Sequence, residues 1–133
     1  TKKNIKVYRY IGYDRDPLLQ ICGYQKEGDT LPKEEIIARL EEAQQAEILL
    51  EDPAFMSTGL KPVQKYQNAV MMVICCPAGT PMYITDFENV YKEVVLPRHT
   101  QLKISKVEDA GGVSEYGEKC QIVLTVKVVG VGI

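Results

Sequence analysis

Apolar and polar residues alternate along the first segment, Ile5-Lys-Val-Tyr-Arg-Tyr-Ile11, as in a β-strand with one buried face. The alternation puts Arg9 on the same side of the strand as the apolar residues Val7 and Ile11. An unpaired charge on an inward face costs several kcal/mol or more. We therefore expect Arg9 either to form an internal pair with a carboxylate or to meet an anionic ligand.

A helical pattern follows after an irregular stretch from Gly12 to Gly28, which we interpret as a loop with one short helical turn. Thr30-Leu-Pro-Lys-Glu-Glu combines a hydroxyl near the cap, a proline in the first turn and two acids at the positive end of the helix dipole. The apolar stripe then predicts a helix from Lys33 to Gln45 that continues toward Glu51.

The second half of the chain contains short β-branched segments that are bounded by Pro, Gly or Asp, and these predict strands. The predicted strands are Phe55 to Leu60, Ala69 to Cys76, Met82 to Ile84, Lys92 to Leu96, Leu102 to Val107 and Lys119 to Val129. A helix followed by a run of strands predicts an α+β fold with mixed or antiparallel sheets.

Composition describes one ordinary globular domain, which we expect to cover residues 1–133. Hydrophobic residues make up 45% of the chain, charged residues 26%, and the net charge is -2. The chain therefore lacks the basic excess of a sequence-independent nucleic-acid binder. It also lacks an apolar run of about 18 residues, so we expect a soluble protein with no membrane partner.

The cysteines and the single histidine do not predict a metal site. Four cysteines lack CxxC spacing, and His99 is the only histidine. Cys75 and Cys76 end an apolar run and are interpreted as buried, free thiols, which favours a reducing working compartment.

Candidate chemistry comes from Ser57 and Thr58, which stand in a predicted strand beside Gly59, and from Glu93 at the start of another strand. Strand hydroxyls are often edge groups that are satisfied by the backbone, and a strand-end carboxylate is often a solvated rim residue. The carboxylate of Glu93 could equally accept hydrogen bonds from the hydroxyls of a ligand.

The order of these segments resembles the arginine class of mono-ADP-ribosyltransferases, which includes the catalytic halves of clostridial binary toxins, vertebrate ecto-transferases and bacterial effector domains. The resemblance is carried by Val7-Tyr-Arg9, Phe55-Met-Ser-Thr-Gly-Leu60, Tyr83-Ile84, Glu93-Val-Val-Leu-Pro-Arg98 and Leu102-Lys-Ile104. It implies the ADP-ribosyltransferase-like fold, a split β-sandwich with flanking helices.

The resemblance also implies a role for each site residue, with NAD as co-substrate and no metal. Arg9 would contact the dinucleotide phosphates and brace the site. Ser57 would hold the catalytic Glu93 in place, and Thr58 would help to bind NAD and support the strand. Glu93 would bind the nicotinamide-ribose hydroxyl and stabilise the oxocarbenium-like transition state.

Two positions depart from the pattern of this class. Gly59 replaces the last hydroxyl of the Ser-Thr-Ser motif, and Tyr91 replaces the Glu or Gln that usually receives the acceptor. Phe87, in the preceding segment, would contribute with Tyr91 to recognition of the target. Tyr91 makes arginine a less favoured acceptor, and a protein or a nucleic acid both fit.

Three functions are compatible with these residues. The leading hypothesis is an NAD-dependent toxin or effector transferase detached from a larger polypeptide, secreted or delivered into a target-cell cytoplasm and accompanied by a neutralising immunity protein. An NAD glycohydrolase, in which water replaces the acceptor, is the second. A catalytically silent transferase-like binding module is the third, supported by Gly59 and Tyr91 and opposed by the presence of Arg9, Ser57 and Glu93.

Overall fold

A computed structural model describes residues 3–11, 18, 32–52, 56–60, 70–84, 93–111 and 121–131. Its elements in chain order are β1 (Ile5–Ile11), α1 (Lys33–Gln45), β2 (Leu49–Glu51), β3 (Met56–Gly59), β4 (Val70–Cys76), β5 (Tyr83–Ile84), β6 (Glu93–Leu96), β7 (Thr100–Asp109) and β8 (Ile122–Val131).

The strands form one sheet with the order β2-β7-β8-β4-β1-β3-β6-β5. Strands β4 and β8 run parallel, and every other neighbouring pair is antiparallel. A mixed sheet with α1 packed against β7 confirms the predicted α+β class.

The sheet has two parts that meet at one narrow join. Strand β1 pairs with β4 along its whole length, but among the described residues its pairing with β3 is the single position Tyr8↔Gly59. Buried residues of both parts, such as Met56 and Leu96 on one side and Met72 on the other, nevertheless belong to the same hydrophobic cluster. The part made of β3, β6 and β5 is therefore held to the rest by packing more than by backbone pairing.

Helix α1 buries Ile36, Leu40 and Ala43 against the sheet. Lys33 at its start donates a hydrogen bond to Asp109 at the end of β7, with Nζ and Oδ1 3.0 Å apart. The pKa of Asp109 is lowered because the Gly111 amide, and then Lys33, donate hydrogen bonds to its carboxylate. The hydrogen bond between Lys33 and Asp109 thus connects the start of α1 to the end of β7.

The predicted continuation of the helix to Glu51 is wrong, because the chain turns after Gln45. Glu47 adopts φ 54°, and its amide donates to the Gln44 carbonyl while the Ile48 amide donates to the Ala43 carbonyl. This hydrogen-bond pair is a Schellman motif, which ends a helix without a glycine here. The following residues form the edge strand β2, which pairs with β7.

The other predicted elements are confirmed, with shifts at their ends. The bounds of β1 and α1 agree with prediction, whereas β7 is longer at both ends than the predicted Leu102 to Val107. Most of the interval from Gly12 to Gly28 lies outside the described residues, apart from the buried Leu18.

Strand β4 is covered on both faces. Met72 and Ile74 belong to the main core, and Met71 and Val73 form a second cluster with Val123 on the other face. Tyr8 and Tyr10 are partly buried against this second cluster. Cys76, at the end of β4, is buried and Cys75 is partly exposed, and both are free thiols. Among the described residues, no helical segment has the length and hydrophobicity of a membrane span.

Candidate active site

Ser57 and Glu93 lie on the same face of the sheet. Strands β3 and β6 pair antiparallel, with Gly59 opposite Glu93 and Ser57 opposite Val95. Residues opposite each other share a face, as do residues two apart in a strand. Ser57 and Glu93 are therefore diagonal neighbours at about 7–8 Å, within reach of a long side chain. Both are exposed, so a ligand can approach them.

Thr58 points to the opposite face and serves the strand pair. It is 5% exposed, and its hydroxyl donates to the Val94 carbonyl at 2.7 Å. That carbonyl belongs to the residue that follows Glu93. The hydroxyl of Thr58 therefore fixes β3 to β6 beside the candidate catalytic carboxylate, and it does not face a ligand on the side of Ser57.

Arg9 forms an internal ion pair. Its Nη1 lies 3.2 Å from Oδ2 of Asp52, and the side chains are 23% and 7% exposed respectively. Of the two alternatives for an inward arginine, the carboxylate pair is thus present. The guanidinium has five N–H donors, so an end-on contact through one nitrogen leaves donors for a second partner.

The register assigns Arg9 to the face opposite Ser57 and Glu93. Tyr8 pairs with Gly59, so Tyr8 shares their face and its neighbour Arg9 points the other way. The structure therefore brings Ser57 and Glu93 together on one face, while Arg9 lies beside the narrow join between β1 and β3. A ligand that contacts all three must pass around this join.

The turn after β6 connects Glu93's strand to the partner of Arg9. The His99 amide donates to the Asp52 carbonyl at 3.0 Å, and its Nδ1 contacts the Glu51 carboxylate. His99 has φ 59°, a left-handed conformation in which histidine is enriched among non-glycine residues. The Thr100 hydroxyl closes the turn by donating to the Pro97 carbonyl at 2.7 Å.

Two features of this region were not identified from the sequence. Asp52 is one of them, and the signal for it in the sequence is the expectation that an inward Arg9 pairs with a carboxylate. Tyr83 contributed to the family resemblance but to no site. It lies opposite Val95, hence on the face of Ser57 and Glu93, and is 70% exposed.

Tyr91 and Phe87, the predicted target-recognition residues, lie outside the described residues. Among the residues whose positions are described, no group of three or more His, Cys, Asp or Glu could hold a metal ion. Among the described residues, Ser57, Glu93 and Tyr83 place a hydroxyl, a carboxylate and an exposed phenol on one face.

A groove of about 580 Å³ lies between α1 and β2 and is distinct from these residues. Its lining includes Ala38, Ala46, Ile48 and Leu49. Arg9, Ser57 and Glu93 do not line this groove. Ser57 and Glu93 thus lie on a sheet face and not in the groove.

The profile of the family described as ADP-ribosyltransferase exoenzyme matches residues 1–129. The comparison with curated proteins gives no match. The family match includes β1, β3 and β6, the three strands that carry Arg9, Ser57 and Glu93.

Solved structures share the fold at low sequence identity. C3larvin toxin, an ADP-ribosyltransferase from Paenibacillus larvae, superposes with a TM-score of 0.64 at 20% identity over 97% of this chain and 63% of its own. The Salmonella SpvB ATR domain superposes with a TM-score of 0.62 at 18% identity, over 98% of this chain and 63% of its own. The toxin BECa of a binary enterotoxin of C. perfringens, solved with NADH, superposes with a TM-score of 0.67 at 14% identity, over 96% of this chain and 29% of its own. The chain thus spans less than two thirds of these proteins, and the predicted ADP-ribosyltransferase-like fold is confirmed.

Proposed function

The chain belongs to the ADP-ribosyltransferase exoenzyme family, and we propose that it cleaves the nicotinamide–ribose bond of NAD and transfers ADP-ribose to a macromolecular acceptor. Members of this family are enzymes that use NAD. The observation that carries the proposal is the shared, exposed face of Ser57 and Glu93 inside the matched region.

Glu93 is proposed as the catalytic carboxylate. Departure of nicotinamide leaves positive charge on the ribose, and a fixed carboxylate stabilises this charge more in the transition state than in the ground state. Ser57, the diagonal neighbour on β3, is close enough to orient that carboxylate through its hydroxyl. Thr58 contributes indirectly, because its hydroxyl bond to Val94 fixes the strand that carries Glu93.

Arg9 is proposed to bind the NAD phosphates. A planar guanidinium can hold phosphate oxygens by two parallel hydrogen bonds. The contact with Asp52 engages Nη1, and the side chain remains 23% exposed, so further donors can reach a ligand. The N–H donors of Arg9, the hydroxyl of Ser57 and the acceptor carboxylate of Glu93 thus suit a molecule with phosphates at one end and ribose hydroxyls at the other.

The test replaces Glu93 by glutamine, which keeps its size and removes its charge. We expect nicotinamide release to fall at least about 10²-fold, the scale for losing one fixed electrostatic contact to a transition state. Chromatography of the nicotinamide that is released measures this, and circular dichroism checks the fold. Glu108→Gln, which removes a partly exposed carboxylate that pairs with Lys106 on β7, is the matched control. Undiminished release by Glu93→Gln would overturn the assignment.

Hydrolysis of NAD is the second candidate, and Tyr91 favours it. A phenol at this position replaces the acid or amide that receives the acceptor in the family, but it need not impede departure of nicotinamide. Mass spectrometry of the products separates the candidates. Free ADP-ribose without a modified protein or nucleic acid indicates hydrolysis. A third outcome, no binding of NAD in calorimetry, would indicate a silent binding module.

The setting of the reaction is proposed by analogy. C3larvin from Paenibacillus larvae and BECa from C. perfringens, which share the fold, are toxins. We therefore propose that residues 1–133 act as one catalytic domain of a secreted or delivered effector, with its acceptor in a target cell and an immunity protein as a further partner. Turnover by the isolated chain would support the single domain, and incubation with labelled NAD and a cell lysate would identify the class of acceptor.

A further inference from the structure

Asp52 is the carboxylate that holds Arg9, and it is joined to the turn that follows Glu93's strand. We propose that Asp52 is a positioning residue, which orients the Arg9 guanidinium for the NAD phosphates. The inference rests on the proposed function of Arg9 and assigns a role to a residue that does not itself touch NAD.

The exposure of the pair supports positioning. The Asp52 side chain is 7% exposed and that of Arg9 is 23% exposed, so the carboxylate is the inner member and the guanidinium the outer one. A hydrogen bond at 3.2 Å from Nη1 to Oδ2 restricts rotation of the long arginine side chain. The rotamer entropy of Arg9 is then lost on folding and not on ligand binding.

The pairing has an electrostatic consequence. The carboxylate of Asp52 offsets part of the positive charge of Arg9, so nonspecific attraction of anions is weakened. What remains is a set of directed N–H donors in a fixed plane, which is the property that distinguishes arginine from lysine in phosphate recognition. The orientation of the Arg9 guanidinium therefore contributes more to phosphate binding at this site than its positive charge alone.

Asp52 is itself held in place by the turn between β6 and β7. Its carbonyl accepts a hydrogen bond from the His99 amide at 3.0 Å, and the neighbouring Glu51 carboxylate contacts His99 Nδ1. Strand β6 begins at Glu93 and leads into this turn. One turn thus sets the position of Arg9's partner and ends the strand of the proposed catalytic residue.

A kinetic experiment tests this role. In Asp52→Ala and Asp52→Asn, we expect the KM for NAD in nicotinamide release to rise by roughly ten- to a hundredfold, the scale for misplacing a binding group. The kcat should change much less, since phosphate binding is shared by ground state and transition state. Asp52→Glu, which restores a carboxylate, should recover part of the affinity. Asp109→Asn, which breaks the exposed pair with Lys33, is the control and should leave KM unchanged.

A double-mutant cycle separates positioning from a merely structural role. If Asp52 acts through Arg9, Asp52→Asn should add little to the KM of Arg9→Gln. Independent, additive effects of the two substitutions on KM would overturn the proposal, as would an unchanged KM in both Asp52→Ala and Asp52→Asn.

A spectroscopic experiment makes the outcome independent of turnover. Nitrogen-15 NMR of the arginine side chains should show slow rotation of the Arg9 guanidinium in the unaltered protein and faster rotation in Asp52→Asn, with Arg9→Lys identifying the resonance. Slow rotation that persists without the Asp52 carboxylate contradicts positioning. If Asp52→Asn speeds the rotation of the Arg9 guanidinium but the unaltered protein releases no nicotinamide, the positioning role is retained and the proposed function is refuted.

Discussion

Thr58 joins β3 to β6 through a hydroxyl that is 5% exposed and donates to the Val94 carbonyl at 2.7 Å. Replacing it by valine keeps the shape and removes the donor. We expect Thr58→Val to lower the free energy of unfolding by about 1 kcal/mol, the typical net value of one hydrogen bond. It should also slow nicotinamide release, because Glu93 begins the strand that this bond aligns.

Urea denaturation and the release assay together check this prediction. Thr58→Ser retains the donor and should stay closer to the unaltered protein in both measurements. A Thr58→Val variant as stable and as active as the unaltered protein would show that the hydroxyl does not align β6.

The thiol of Cys76 is a second residue whose surroundings fix its chemistry. Burial, and then the neighbouring Cys75, raise its pKa from 9.0 to about 11. The unfolded chain loses the thiol proton near pH 9, but the folded protein keeps it to about pH 11. The contribution of this thiol to stability is therefore fully present below about pH 9 and is lost as the pH rises through 11. We expect the free energy of unfolding to fall more steeply from pH 9 to 11 in the unaltered protein than in Cys76→Ala.

Urea titrations at several pH values in this interval measure the two slopes. The tyrosines and lysines that also titrate there are common to both proteins, so their effect largely cancels in the difference. Equal slopes would contradict a buried, neutral thiol at Cys76.

The candidate site shows which residue-level features a sequence can predict. The inward position of Arg9 follows from local alternation, and Ser57 and Glu93 follow from a motif resemblance. The identity of Asp52 could not be predicted, since it lies 43 residues from Arg9 and meets it only in the folded chain. The shared face of Ser57 and Glu93 likewise depends on the register of β3 against β6, which alternation within one strand does not determine.

At the level of elements, the end of α1 leads to a stability prediction. Glu47 adopts φ 54°, which costs an ordinary residue about 1–2 kcal/mol relative to the right-handed conformation. Glycine avoids this cost, although it also gains entropy when unfolded. We expect Glu47→Gly to raise the free energy of unfolding by about 0.5–1 kcal/mol.

Glu47→Ala is the control, because it removes the exposed pair with Lys103 at 3.3 Å and retains the unfavourable conformation. It should not stabilise the protein in urea denaturation. A loss of stability in Glu47→Gly that equals that of Glu47→Ala would indicate that the left-handed conformation carries no measurable cost.

The same turn explains why one element was missed. The apolar residues Ile48, Leu49 and Leu50 continue the stripe of α1 well enough to suggest a longer helix. The chain instead forms a strand of only three residues, whose pairing partner β7 is distant in sequence. The bounds of β1 and α1 were predictable because periodicity and helix-start signals are local. The order of the eight strands was not, since it depends on contacts between remote segments.

For the whole molecule, the topology predicts an uneven distribution of local stability. Strand β4 lies inside the sheet with buried residues on both faces, whereas β2 and β5 lie at its edges and carry the exposed Leu49, Tyr83 and Ile84. Segments with few buried contacts open at lower free energy than the core. In hydrogen exchange followed by mass spectrometry, peptides from β4 and β8 should exchange last, and those from β5 and β2 first.

The narrow join between β1 and β3 adds to this prediction. Because one residue pair connects the two parts of the sheet within the described ranges, β3 and β6 should exchange faster than β4 in spite of their shared core. Ligand binding across the join should slow this exchange. Equal protection of β3 and β4 without ligand would show that side-chain packing alone makes the two parts one cooperative unit.

Tyr83 has an optical use that follows from its place on the edge strand. The chain contains no tryptophan. In Tyr83→Trp, the indole would therefore be the sole strong near-ultraviolet emitter of the chain. Position 83 is 70% exposed and lies on the face of Ser57 and Glu93. Nicotinamide arriving on that face would quench the emission, and its departure would restore it. The emission of an indole on the two-residue edge strand β5 could therefore be used to time the binding and release of the ligand directly.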